Sequence, residues 1–145
     1  MKTLNGFLNE SAPIGELGKV KATDSNIRRL VKEGIRKYGV EADLNYIDVS
    51  EVTDMESLFK ETDFNGDISK WNVSSVEDMS EMFSGCFEFN GDISKWNVSK
   101  VKYMNHLFYE CWKFNCDISK WDVSKVENMC GIFSNCEEFN QDISN

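Results

Sequence analysis

"FNGDISKWNVS" fills residues 64–74, returns at 89–99, and returns again as "FNCDISKWDVS" at 114–124; "FNQDISN" then fills 139–145. The step is 25 residues each time. Other positions keep the same phase: Ile68, Ile93, Ile118 and Ile143; Val73, Val98 and Val123; Met79, Met104 and Met129; Phe83, Phe108 and Phe133. An earlier copy, "IDVSEVTDMESLF" at 47–59, lies 24 residues ahead of "WNVSSVEDMSEMF", with Ile47 in place of tryptophan. A unit this short cannot bury its own apolar face, whereas stacked copies can, so the period predicts an α/β solenoid.

Two patterns divide each coil. Asp-Ile-Ser alternates polar and apolar, which suits a short strand pairing in parallel with the next coil about 4.8 Å away. After Trp71, the apolar residues Val73, Val76, Met79, Met82 and Phe83 step by three and four, the stripe of a short helix. Ser74 with Glu77, and Ser124 with Glu127, fit capping boxes opening it; Lys102 weakens the middle one. The expected architecture is therefore short parallel strands on one face and short helices on the other. Ahead of it, "TDSNIRRLVKEGIRKYGV" predicts an N-terminal capping helix, begun by Thr23, Asp24 or Ser25, with Ile27, Leu30, Val31, Ile35 and Tyr38 facing inward and Gly39 as the stop. The division expected is an N-terminal extension (1–22), a capping helix (23–46) and about four repeats (47–145). No second helix covers the far side, so that edge either closes the core poorly or meets another molecule, a homodimer through the C-terminal edge being one outcome.

One proline among 145 residues leaves no linker, so a single folded domain is expected. No apolar run nears the ~20 residues of a membrane span. Residues 1–40 carry eight Lys/Arg against four Asp/Glu (+4), and residues 41–145 eight against twenty-one (−13). The acidic body repels phosphate backbones, which argues against nucleic acid, and favours cationic surfaces. Cys86, Cys111 and Cys136 share one phase of the repeat, so repetition explains them better than disulfides, and a reducing compartment fits. After Lys2, the residues Asn5, Gly6, Asn9 and Glu10 interrupt any secretory apolar stretch, so the expected location is the cytoplasm or a virion.

Three columns are candidates for function. Asp67, Asp92 and Asp117 (with Asp142), then Ser69, Ser94 and Ser119, then Lys70, Lys95 and Lys120 make a polar strip. Two readings stand: a solvated face whose lysines offset the carboxylates, and a recognition strip for a protein partner. Trp71, Trp96 and Trp121 form a second column, either corner packing or, if exposed, partner hot spots. Asn65, Asn90, Asn115 and Asn140 form a third, expected to satisfy buried loop groups between coils. The positions that vary between copies (Glu77, Asp78, Lys102, Tyr103, His106, Glu127, Asn128) would select the partner. No phosphate loop, paired carboxylates or CxxC occurs, and His106 has no orienting neighbour in sequence, so no catalytic residue, metal or cofactor is expected.

The unit "FNGDISKWNVSSVEDMSEMFSGC" resembles the repeat of the BspA-like leucine-rich-repeat proteins, over residues 47–145. The resemblance implies a leucine-rich-repeat-like solenoid used for adhesion or protein binding, without catalysis, and a cell-surface setting for the exported members. A second resemblance is shorter: "MKTLNGFLNE" is similar to leaders that carry internal proteins into proheads of T4-type phages, which are cut after a Leu/Ile-x-Glu such as Leu8-Asn9-Glu10 or Ile14-Gly15-Glu16. It implies a packaged virion protein. The first reading expected is thus a non-catalytic interaction module, the alternative a virion-associated structural protein.

Overall fold

A computed structural model describes residues 18–144. The leader motifs at 8–10 and 14–16 lie outside them, with most of the 1–22 extension.

The stretches 55–61, 79–85, 104–110 and 129–135 are equivalent, and the use of their amides explains the architecture. The N–H groups of Met79, Glu81, Phe83 and Gly85 donate to the carbonyls of Tyr103, Asn105, Leu107 and Tyr109 in the next coil at 2.8–3.0 Å. The amides between them close turns within the coil, Met82 onto Met79 O, Ser84 onto Glu81 O and Cys86 onto Phe83 O. The same bonds run from 55–61 onto 78–84 and from 104–110 onto 128–134. Along this row every second N–H points toward the following coil, and the carbonyls that receive these bonds point toward the preceding one.

That bonding displaces the expected helix after Trp71. A helix needs those amides for its own carbonyls four residues back. Here Glu81 and its equivalents Ser57, His106 and Gly131 also take φ between 55° and 65°, which no α-helix permits. An apolar spacing of three and four fits consecutive turns as well as a helix. The capping boxes fail with it: the Glu77 amide donates to Thr53 O, and the Ser74 amide to Asn72 Oδ1. Lys102, read as a weakened cap, pairs with Glu77 of the preceding coil at 2.9 Å.

The Asp-Ile-Ser segments do not form a continuous set of strands. Parallel pairing there is confined to Asp43 with Asp67, and the bridge running through the repeats joins Asp54, Asp78, Tyr103 and Asn128. Each aspartate instead accepts from the serine amide two residues on, a side-chain turn that bends the chain away from strand geometry. Among the described residues the two strands are β1 (Val20–Lys21) and β2 (Ile47–Asp48), parallel, with Val20 opposite Ile47.

Phenylalanines zip the interior. Phe59, Phe83, Phe108 and Phe133 stack in one column at 5.4–5.9 Å between centroids. Phe64, Phe89, Phe114 and Phe139 make a second at 5.8–6.2 Å. Within each coil the two rings touch at 3.9–4.4 Å. Offset stacks of this kind add to the burial of large apolar area. The cysteine column is internal too: Cys86, Cys111 and Cys136 donate their S–H to Phe59 O, Phe83 O and Phe108 O at 2.7–2.9 Å. Burial pushes the Cys86 and Cys136 thiols up to about 11 and Cys111 higher still, so none is a ready thiolate.

The helix α1 (Ile27–Tyr38) covers the first coil, with Ile27, Leu30 and Val31 buried. Its N-cap is Asn26 rather than any residue of 23–25. Asp24 is used otherwise: its carboxylate accepts from the Thr53 amide and hydroxyl at 2.7 and 2.6 Å and from the Asp54 amide at 3.1 Å, tying the lid to the coil. Arg28 completes the tie by donating to Glu56 O at 2.8 Å. Gly34 lets α1 come this close, since a β-carbon there would stand 2.7 Å from Leu44 Cδ2.

The opposite end is open. Val123 is 38% exposed where Val73 and Val98 are at 1%, and Met129 is 38% exposed where Met79 and Met104 are at 0%. The differences measure what one covering coil hides. A cavity of about 270 Å³ opens there among Trp121, Val123, Met129, Phe133 and Ile143.

Candidate protein-interaction surface

The three expected columns have different fates. The tryptophans are inside: Trp71, Trp96 and Trp121 are 4–9% exposed, and their indole N–H groups donate to Leu44 O, Ile68 O and Ile93 O at 2.9–3.2 Å. They fasten each coil to the one before. They are packing residues, and the hot-spot alternative is withdrawn, because a buried ring with its one donor engaged has nothing to offer a partner.

The asparagine column forms as a chain of bonds between coils. Asn65 Oδ1 accepts from the Asn90 amide, Asn90 Oδ1 from that of Asn115, and Asn115 Oδ1 from that of Asn140, at 2.9–3.1 Å. Asn90 is exposed and Asn65 and Asn115 half-buried, so water shares the site more than expected. Asn90→Ala leaves the Asn115 amide without its acceptor and is expected to cost about 1 kcal/mol in a denaturant melt.

The Asp/Ser/Lys strip is on the surface, with Lys70, Lys95 and Lys120 exposed and Ser69, Ser94 and Ser119 half-buried. Its carboxylates are committed. Asp67 Oδ1 is held by the Ser69 amide at 2.9 Å; Asp92, Asp117 and Asp142 are held likewise by Ser94, Ser119 and Ser144. These serine hydrogen bonds, from amide and hydroxyl together, draw all four carboxyls below the ordinary aspartate value. The strip therefore shapes turns first and presents lysines second. A group with a depressed native pKa stabilises above its unfolded value of about 3.9, and that contribution disappears as pH falls through the native pKa. The fold is thus expected to be unaffected by pH between about 5 and 7 and to lose stability below about pH 4, measurable by urea melts across that range.

Other aromatic side chains reach the surface where the third coil departs from the repeat. Tyr103 replaces the Asp78 and Asn128 of its neighbours, Tyr109 replaces Ser84 and Ser134, and Trp112 follows Phe87 in one column. Trp112 is 42% exposed and stacks on Phe87 at 4.3 Å; Tyr103 is 39% exposed. His106 meets Tyr109 edge-on at 5.6 Å. Tyr103 and His106 were among the variable positions read from the sequence. Phe87, Tyr109 and Trp112 were not, although departure from an otherwise strict period would have found them.

Beside this group lies a cleft of about 350 Å³ lined by Glu61, Asp63, Ser84, Gly85, Phe87, Tyr109 and Glu110. A hydrogen bond to Glu110, and its charge, push the Tyr109 hydroxyl above its ordinary value. Glu61, Gly85 and Glu110 are one column of the repeat, all with positive φ.

Among the described residues, no helix is long and apolar enough to cross a membrane, and no three His, Cys, Asp or Glu side chains are grouped to hold a metal ion. No curated protein and no solved structure matches the chain. Residues 27–145, the capping helix and every repeat, match the family described as Mycoplasma protein of unknown function, DUF285, and the chain belongs to that family.

Proposed function

We propose that the chain is a non-catalytic protein-binding module built as a solenoid, akin to the BspA-like leucine-rich-repeat proteins in its repeat. The observation that carries the reading is the aromatic group of the third coil. The large aromatic residues that recur with the period face inward, whereas Tyr103 and Trp112, which break it, are 39% and 42% exposed, and Tyr109 lines a cleft together with Phe87, the ring on which Trp112 stacks. Exposed tryptophan and tyrosine on a rigid frame supply contact area at small entropic cost, the usual make-up of an interface hot spot. The support is the contrast between those two sets of rings. Trp112 would be the anchor, with Phe87 beneath it and Tyr103 at the margin.

The test compares wild-type protein and Trp112→Ala as baits in capture from cells of the source organism. Removing a half-exposed ring is expected to change stability by no more than about 0.5–1 kcal/mol. Proteins held by the wild type and lost from the variant are the expected result. Identical capture by both baits, or none by either, would refute it.

A further inference from the structure

The cleft next to Trp112 combines features that recognise one chemical group. Phe87 and Tyr109 give it aromatic walls, and Glu61, Asp63 and Glu110 give it carboxylates, with no basic side chain in its lining. Lys60, next to Glu61 in the chain, is engaged by Glu81, and Lys113, whose amide bonds to Phe87 O, is engaged by Glu138. Phe87 belongs both to the cleft and to the Trp112 stack, so the two are continuous.

The backbone shows why the space exists. The column of Glu61, Gly85 and Glu110 has φ of 57°, 72° and 56°, a conformation natural for glycine and strained for other residues. Of these three, Gly85 alone has the residue the geometry favours; the next copy carries Asn135, at φ 60°, which tolerates it. A β-carbon there would stand 3.3 Å from Glu61 Cγ, so a side chain in the middle coil would press on the glutamate below. Glutamate in the coils on either side is the strained choice, and both glutamates line the cleft with Gly85 between them in the column.

We propose that this cleft receives the arginine or lysine side chain of a protein partner, a basic segment lying across the coils with Trp112 under its flank. The inference rests on the protein-binding reading and names the partner's chemistry. Charge complementarity selects a cation: residues 41–145 carry a formal charge of −13, and the cleft is lined by both acidic and aromatic residues, two groups that attract guanidinium and ammonium.

The probe is a hexa-arginine peptide titrated into the full chain by calorimetry, with hexa-glutamine as the uncharged comparison. Glu61→Gln with Glu110→Gln is expected to weaken hexa-arginine about tenfold. Glu41→Gln with Glu51→Gln, removing the same charge from exposed sites elsewhere, should weaken it less than about twofold, as expected when specific hydrogen-bonded pairs rather than net charge hold the ligand. Equal weakening by the two pairs overturns the proposal, because net charge alone then explains binding. So does hexa-glutamine binding as well as hexa-arginine. A second pair, Glu61→Gly with Glu110→Gly, relieves the backbone and keeps the fold; it should match the glutamine pair in lost affinity while raising the melting temperature, and full affinity in it likewise overturns the proposal. Partners captured through Trp112 but indifferent to Glu61 and Glu110 would sink the cleft and leave the binding module standing. Loss of all capture, with hexa-arginine still discriminating, would do the reverse.

Discussion

Phe83→Ala is expected to remove about 3–5 kcal/mol of folding stability, enough to unfold a large share of molecules in a domain of ordinary stability. Phe83 is fully buried and is one of the points where the two ring columns touch. It stacks on Phe59 at 5.4 Å, on Phe108 at 5.8 Å and on Phe89 at 4.1 Å, with Trp96 at 6.3 Å. The void left by alanine cannot collapse, because the coils above and below are held apart by the rows of hydrogen bonds beside it. Phe133 in the last coil lacks a ring beyond it and is half-exposed, so Phe133→Ala should cost clearly less. Urea denaturation of the two variants reads the contrast; equal losses would mean that the columns do not act as a continuous core.

Gly66→Ala should be nearly as damaging, at about 3 kcal/mol, from the opposite cause. An added β-carbon would lie 2.0 Å from Ala42 O and 2.6 Å from Phe64 Cε2. The backbone carbonyl cannot swing aside, since Ala42 O accepts the Asp67 amide at 3.0 Å. Overpacking against backbone displaces whole segments rather than a side chain. At Gly91 the nearest obstacles are Phe89 ring atoms at 2.9 and 3.0 Å, with Gly66 O at 3.4 Å, so Gly91→Ala is expected to cost less. The third and fourth coils carry Cys116 and Gln141 at this position, so the restriction belongs to the first two. Thermal melts of the two alanine variants give the ranking; Gly91→Ala being the worse would contradict it.

Much of the frame was legible in the sequence, because a period of 25 residues places like on like whatever the local backbone does. The phase alone put the phenylalanines in columns, the cysteines inside and the asparagines in register between coils, and the capping helix followed from the stripe through Ile27, Leu30 and Val31. What misled was local. Val76, Met79, Met82 and Phe83 have helical spacing, but successive turns bury the same residues. The left-handed φ of Glu81 and His106, which distinguishes the two, has no signal in a glutamate or a histidine. Asp-Ile-Ser alternates like a strand, yet aspartate with serine two places on is also the signature of a side-chain turn, and the hydrogen bond prevails over the alternation. The indole N–H groups could not be assigned without the carbonyls of Leu44, Ile68 and Ile93 in view. The cleft was hidden for the same reason: glutamate, glycine and glutamate at one phase say nothing until their φ values put an opening between them.

The row of amides on residues 55–61, 79–85 and 104–110 gives the stack of coils a direction. Because the N–H groups that bond from coil to coil, on alternate residues, all face one way, the dipoles of those peptides add along the row instead of cancelling as they do in an ordinary sheet. The lid end of the row displays oxygen and is met by the Arg28 guanidinium; the open end displays hydrogen on Met129, Gly131, Phe133 and Asn135. Two such ends brought together along the row would oppose donor to donor. Self-association that uses this row therefore has to run nose to tail, and an arrangement of that kind, lacking a two-fold axis, closes into a ring or lengthens into a thread.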